Sequence, residues 1–293
     1  MKIIFATLLL VNSVYSYAQS NLRSKTIVLR RLLEQKHYQP VNWNDTASQL
    51  LYTKWLEKLD DEKLFFTQKE IAVLDGFKNK LDEEILGNGW LFFGQSTMLY
   101  KQRLLKTDSI IKVLTQKPFD FSKPDNLTWP FTSFAANEAE LVQRWQKYLK
   151  WQVLNQIAKK QSDSNGVSSK LPTNFPQLET AIRSSLRTKE SAYLKNILGN
   201  TPNQFVAELE EKYLNTIAWC YDPHTNYMSS KKKDAFDAAT SATEFSSGLD
   251  LEENDDGDIA IDYLQPGSSA WRSGQLHKGD VIQSVNVGGK KKI

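Results

Sequence analysis

Apolar residues recur every three or four positions along most of the chain before residue 222, a spacing typical of amphipathic helices. The pattern predicts helices over residues 22–37, 44–59, 67–85, 90–114, 137–160, 176–197 and 202–221. The third of these opens with the capping box Thr67-x-x-Glu70, and the last has Thr201 as its N-cap before Pro202. The fold class predicted for this part of the chain is therefore mainly α, as a multi-helix domain.

The period of the pattern changes to two after Phe245. Alternation predicts strands over residues 248–251, 258–264 and 281–287, with a tight turn at Asn254–Gly257 between the first two. Ser268 is a suitable cap for a short helix that ends at Gly274. The expected order is strand, strand, short helix, strand, which is a small β module at the C-terminal end.

Two stretches between the regular elements have compositions of their own. Residues 161–170 are rich in Ser, Asp and Asn, which predicts a mobile loop. Asp222–Ser229 follows the last long helix, and Pro223 ends that helix because its ring crowds the preceding residue out of the helical region. This octapeptide marks the junction between the helical part and the β module.

Residues 1–18 have the features of a secretory signal. Lys2 precedes an apolar run from Ile3 to Val11, and small residues at Ser16 and Ala18 predict cleavage before residue 19. The alternative, a membrane anchor, would need about 20 apolar residues. We expect a periplasmic or secreted protein with no membrane span after cleavage.

Composition excludes several classes of function. The 293 residues are 40% hydrophobic, enough for one or two cores, and the formal net charge is only +3. A concentrated basic face is expected of nucleic-acid-binding proteins, so no nucleic-acid partner is predicted. Cys220 is the single cysteine, which leaves no internal disulfide, and neither a metal site nor another cofactor is predicted.

Three regions of the chain resemble parts of one protein family and occur in the same order as in that family. Asp222–Ser229 is similar to the segment that precedes the PDZ domain in tail-specific (C-terminal processing) peptidases. Pro266–Arg272 and Lys278–Ile282 resemble the middle of that PDZ domain, and Leu51–Phe66 resembles the family's helical N-terminal domain. The resemblance implies a signal peptide at 1–18, a helical domain at 19–230, and a linker with a partial PDZ domain at 231–293.

The resemblance also implies a peptide-binding site. A PDZ domain binds the free C-terminus of an unstructured tail as an added strand, and loop amides hold the terminal carboxylate. The matching residues here are Ser246, Ser247, Gly248 and Leu249, followed by Asp250 and Leu251 in the strand. This loop must bring amides close to an anion, and glycine is favoured there because its missing Cβ permits close approach and positive φ. Gly248 fits this expectation, whereas the two serines replace the glycine and the apolar residue of the family's loop. The alternative is that this stretch only starts a strand.

The family's activity is serine endopeptidase chemistry, in which a neutral lysine serves as the base for the serine. The resemblance places both residues beyond the PDZ domain, so no catalytic residue is predicted in these 293 residues. We expect the chain to be inactive alone, with a separate catalytic half as a further candidate partner. A non-catalytic helical and PDZ-like protein that binds peptides or partners is the alternative function.

Three other groups of residues suggest chemistry and have a structural alternative that we favour. Cys220 and His224 could form a thiol–imidazole pair, but His224 is expected to bond within its turn. Asn254 and the aspartates up to Asp258 could suggest calcium, but a hairpin turn is expected instead. The tryptophans of the helical part are expected to pack in the core or between helices.

Overall fold

The computed structural model describes residues 22–123, 125–165, 172–240, 247–254, 257–287 and 290–292. The described chain is mainly helical, as predicted, and has a small antiparallel sheet near its C-terminal end. It forms two compact units, of which the first ends at Met228 and the second begins at Ser229. The predicted signal peptide, residues 1–18, and the predicted site residue Ser246 lie outside the described residues.

The first unit is an assembly of helices that are packed around a continuous apolar core. Its helices are α1 (22–36), α2 (Asp45–Asp60), α3 (Gln68–Asp75), α4 (Leu81–Leu86), α5 (Phe92–Leu114), α6 (Glu138–Asn165), α7 (Phe175–Leu198) and α8 (Pro202–Trp219). Among the helices of the described ranges, none combines the length and the apolar composition needed to cross a membrane.

Aromatic side chains join the helices at the centre of this core. The ring of Trp55 meets the ring of Tyr213 edge-on at 4.9 Å, and its indole nitrogen donates to Ser96 Oγ at 2.9 Å. Trp43 and Trp145 are also buried, which confirms the predicted packing role for these tryptophans. Trp151 differs, because 43% of its surface is exposed.

The single helix predicted over 67–85 is wrong, because the chain forms α3 and α4 with turns between them. The capping box at Thr67 is present and starts α3 as predicted. Ser48 of α2 explains the interruption: its hydroxyl donates to the Lys78 carbonyl at 2.8 Å and accepts from the Leu81 amide at 2.7 Å. A buried side chain from another helix therefore replaces hydrogen bonds that a continuous helix would make.

Helix α6 confirms the apolar stripe predicted for it and overturns part of the predicted loop. Leu141, Leu149 and Val153 of the stripe are fully buried. The helix continues to Asn165, so the first half of the predicted loop at 161–170 is helical, and 166–170 lie outside the described residues. Ser, Asp and Asn cost a helix only about 0.5 kcal/mol each, so a well-packed helix extends through them.

The second unit contains α9 (Ser230–Thr240), β1 (Leu249–Glu253), β2 (Ile259–Leu264), α10 (Ser269–Ser273), β3 (Val285–Val287) and β4 (Lys290–Lys292). The predicted hairpin is confirmed as the antiparallel pair β1–β2. As predicted, Ser268 caps α10 by accepting from the Trp271 amide, and the helix ends at Gly274, which lies in the left-handed region. Membership of this unit in the PDZ fold stays a prediction.

The expected linker at the start of 231–293 contains helix α9, which is rich in Lys and Ala, residues that favour helices. One expectation for the second unit is corrected. The strand predicted over 281–287 is divided, because Val281 bridges Ala260 of β2 whereas Val285–Val287 pairs with β4. Alternation along one strand does not reveal which neighbour each half will find.

Candidate peptide-binding edge

The outer edge of β1 carries the residues predicted to bind a peptide. The Gly248 carbonyl accepts from the Gln265 amide at 2.8 Å, and the Asn254 amide donates to the Asp258 carbonyl across the turn at 2.9 Å. Because backbone groups alternate in direction along a strand, the even-numbered residues of β1 face β2. Leu249 and Leu251 therefore direct their amides and carbonyls away from β2, towards the other edge of the strand.

A bulge in β2 sets which side chains share a face of this hairpin. Asp250 lies opposite Tyr263, but its neighbour Leu251 lies opposite Ile261. Asp262 is the extra residue on β2. The side chains of β2 therefore change faces at this position, while those of β1 continue to alternate. The bulge lets Leu249 lie opposite Leu264 and Leu251 lie opposite Ile261, so that both leucines of β1 have apolar partners.

The two faces of β1 differ in character. Leu249 and Leu251 lie on the same face as the buried Ile261, and half of the Leu251 surface is exposed. Asp250 and Glu252 lie on the other face, and both are exposed. The strand thus presents alternate apolar and acidic side chains beside an edge with outward backbone groups.

The loop before β1 is fixed to the N-terminus of α10. The Ser247 carbonyl accepts from the Ala270 amide at 3.1 Å and from the Ser269 hydroxyl at 3.4 Å. Gly248 has φ +75°, and a Cβ at that position would lie 2.1 Å from Ser268 Cβ. The positive φ agrees with the reason predicted for this glycine, and contact with Ser268 is a second reason that the sequence did not reveal.

The structure therefore brings together the described members of the predicted site. Ser247 and Gly248 form the loop, and Leu249, Asp250 and Leu251 follow it on β1. Ser268 to Ala270 were not predicted as part of the site, although they hold the loop in place. The cap at Ser268 was recognisable in the sequence, but its contact with residues twenty positions earlier was not.

The sequence segment that includes this edge is rich in acidic residues, and β4, which follows it, carries three lysines. Residues 247–287 contain eight Asp or Glu residues and two Arg or Lys residues. One of the two cations, Lys278, donates to Asp262 at 2.8 Å, and this hydrogen bond raises the pKa of Lys278. Within the described residues, no Lys or Arg side chain bonds to the loop at Ser247 and Gly248. A peptide carboxylate at this site would therefore have to be bound by backbone amides.

Side chains of the first unit hold the junction octapeptide as far as Tyr227. The Asn215 amide group from α8 bonds both backbone groups of Tyr227: its oxygen accepts from the Tyr227 amide, and its nitrogen donates to the carbonyl, each at 2.8 Å. The Trp219 indole donates to Asn226 Oδ1 at 3.0 Å. Side chains of α8 thus fix the chain that follows the helix, which spacing alone did not indicate.

Asp222 organises the beginning of the same turn. Its carboxylate accepts from the Tyr38 hydroxyl at 2.7 Å and the His224 amide at 2.6 Å, and these bonds hold its pKa below the ordinary value. His224 Nδ1 lies 3.1 Å from Asp222 Oδ1, which confirms that this histidine bonds within its turn. His37 Nε2 lies 3.1 Å from the Thr225 hydroxyl and links α1 to the turn.

Cys220 has the environment of a structural residue. Its thiol donates to the Thr216 carbonyl at 3.3 Å, and burial raises the pKa of the thiol to about 12. The thiolate is the nucleophilic form, and burial disfavours it. The predicted hairpin turn at Asn254 is present, and within the described ranges no group of His, Cys, Asp and Glu could hold a metal ion.

Comparison with known proteins identifies the family. Residues 28–231 match the family described as "Tail specific protease N-terminal domain". The chain is also 27% identical over 271 residues to the tail-specific protease of Haemophilus influenzae, and the match covers 91% of this chain. The chain spans 36% of the length of that relative. Since the family match covers more than two thirds of the chain, this chain belongs to the tail-specific protease N-terminal domain family.

Proposed function

We propose that this chain is the N-terminal portion of a C-terminal processing peptidase, and that its second unit binds the free C-terminus of protein tails. Peptide-bond cleavage is assigned to a serine–lysine centre outside these 293 residues. The family match supports the protease assignment. The observation that supports tail binding is the outer edge of β1, where Leu249 and Leu251 direct their backbone groups away from β2.

An added strand would satisfy these backbone groups. A sheet edge is a template for another extended chain, and β-strand addition uses main-chain hydrogen bonds for affinity. The loop at Ser247 and Gly248 is positioned at the beginning of this edge. A peptide that pairs antiparallel with β1 would therefore end at the loop, where backbone amides can meet its carboxylate.

In our proposal the protein acts on protein tails outside the cytoplasm. This part of the proposal combines the leader-like residues 1–18 with the family assignment. Expression with the native leader should give a mature protein that starts at residue 19. Mass spectrometry of the N-terminal peptide tests this, and an uncleaved leader in the secreted fraction would contradict the assignment.

Tail binding is tested with a fluorescein-labelled, unstructured ten-residue peptide and the full chain. Fluorescence anisotropy should show saturable binding of the peptide with a free C-terminal carboxylate. The same peptide with an amidated C-terminus should bind at least about tenfold more weakly, since it lacks the charge that strengthens the hydrogen bonds. Equal binding of the two peptides would refute carboxylate capture.

A variant can test the edge without disturbing the hairpin. Leu251→Pro removes an amide that faces away from β2, a position where an edge strand tolerates proline. Binding should be lost, while Leu251→Val, which keeps the amide, should bind as the wild type does. Slow exchange of the Gln265 amide, which bonds the Gly248 carbonyl, verifies that the hairpin remains folded. Unchanged peptide affinity in a folded Leu251→Pro chain would exclude this edge.

A further inference from the structure

The two faces of β1 define a class of tail that fits this edge, given the proposed function. We propose that β1 selects tails with Lys or Arg at the second and fourth positions from the C-terminus. The inference rests on the alternation of Leu249, Asp250, Leu251 and Glu252 along the strand.

The register follows from the direction of the bound chain. With its carboxylate at the Gly248 loop, the tail runs antiparallel to β1 and its last residue pairs with Leu249. The third-from-last residue then pairs with Leu251, because both strands advance by one residue together. The second and fourth residues from the end fall opposite Asp250 and Glu252.

Pairing geometry brings the acidic side chains close to the tail. Leu249 and Leu251 direct their backbone groups to the outer edge, so they form the hydrogen-bonded pairs with the tail. Asp250 and Glu252 therefore occupy non-hydrogen-bonded positions, where opposite Cα atoms are about 4.5 Å apart and side chains are closest. Opposite residues also share a face, so a lysine there reaches either carboxylate.

The leucines of β1 lie on the face opposite to these carboxylates. Leu249 is half-buried and Leu251 is half-exposed, and both lie on the face of the buried Ile261. Apolar side chains of the tail that share this face extend the same surface. An acidic side chain on the opposite face of the tail would meet Asp250 or Glu252 directly, and like charges opposite one another are destabilising.

The carboxylates of this face are available to a basic tail. Asp250 and Glu252 are exposed, and the ion pairs of the described residues do not include them. Lys278 lies near enough to influence Glu252, but its ammonium donates to Asp262. The predicted occupant is therefore a cationic tail rather than a neutral or acidic one.

Anisotropy with three matched ten-residue tails, all with free carboxylates, tests the inference on the full chain. The tails carry Lys, Gln or Glu at the second and fourth positions from the end and are otherwise identical. The Lys tail should bind about two- to tenfold tighter than the Gln tail, and the Glu tail correspondingly more weakly. The differences should shrink in 0.5 M salt, because exposed charge pairs are screened.

Variants locate the effect. Asp250→Lys leaves Glu252 in place and should abolish the preference, while Asp250→Lys/Glu252→Lys should reverse the order, so that the Glu tail binds more tightly than the Lys tail. Asp250→Asn and Glu252→Gln should each reduce the preference. Glu57→Gln on α2 changes the net charge equally and should preserve the wild-type order. An equal loss of preference in Glu57→Gln would show that net charge, rather than β1, causes it.

The outcomes separate the two proposals. If the tails bind only with a free carboxylate but with equal affinity, the charge preference is wrong and tail binding remains supported. If no tail binds, or if amidated tails bind equally well, the proposed function itself is refuted.

Discussion

The contact between Gly248 and Ser268 gives the sharpest prediction about the second unit. In Gly248→Ala, the new Cβ would lie 2.1 Å from Ser268 Cβ and 2.4 Å from its hydroxyl oxygen, distances that no side chain can keep. The backbone also has φ +75°, which costs a residue with a Cβ about 1–2 kcal/mol. The loop must therefore move away from α10.

The displacement would break the bonds that hold the loop. The Gly248 carbonyl accepts from Gln265 and the Ser247 carbonyl accepts from Ala270, and each hydrogen bond contributes about 0.5–1.5 kcal/mol. With the backbone cost, the variant should lose about 2–5 kcal/mol of local stability. Exchange of the β1 amides that face β2, those of Asp250 and Glu252, should then accelerate by at least about 30-fold, since 1.4 kcal/mol is a factor of ten.

Gly267→Ala is the matched control, because Gly267 also has positive φ, +83°, but a Cβ there would meet nothing within 4 Å. It should show only the backbone cost of about 1–2 kcal/mol. The double variant Gly248→Ala/Ser268→Gly removes the clash. It should regain the part of the stability loss by which Gly248→Ala exceeds Gly267→Ala. Hydrogen-exchange mass spectrometry of the three chains measures this, and equal effects in the two single variants would refute the proposed contact.

Variants at three further positions test other parts of the structure. Asn215→Ala removes both hydrogen bonds to Tyr227 and should lower the free energy of urea unfolding by about 1–3 kcal/mol. Asn215→Asp should recover only the bond that the side chain accepts from the Tyr227 amide. Unchanged stability in both variants would contradict the role of Asn215 in holding Tyr227. Ser48→Ala leaves the Leu81 amide without its acceptor and should also lower the free energy of unfolding by about 1–3 kcal/mol. A change below about 0.5 kcal/mol would exclude that role for Ser48. Burial raises the pKa of Glu190 to about 7, above its ordinary value of 4.5, so the wild-type chain should lose stability as pH rises through this interval. Glu190→Gln should abolish that loss and be more stable than the wild type at pH 8 by up to about 3 kcal/mol. Equal free energies of unfolding for the two chains at pH 8 would contradict this prediction.

Periodicity predicted the helical elements well where a single apolar stripe decides the fold. The stripe of α6 from Leu141 to Ile157 is buried as expected, and the caps at Thr67 and Thr201 start their helices. The break between α3 and α4 was not predictable in this way. It depends on Ser48, a residue of another helix that appears in the sequence as an ordinary polar position.

The candidate site was predicted only in part for the same reason. The alternation after Phe245 indicated the hairpin, and Gly248 was expected to need positive φ. The bulge at Asp262 and the contact with Ser268 arise from pairing between separate segments. Local patterns specify an element, whereas its register and its neighbours are determined by tertiary packing.

The most direct test of tail binding at β1 is an NMR titration of the isotopically labelled chain with a tail peptide. The free-carboxylate peptide should shift the backbone amide signals of Leu249 and Leu251 most, and the amidated peptide should leave them nearly unchanged. Shifts that concentrate elsewhere, or that are the same for both peptides, would contradict the binding of a chain end at this strand.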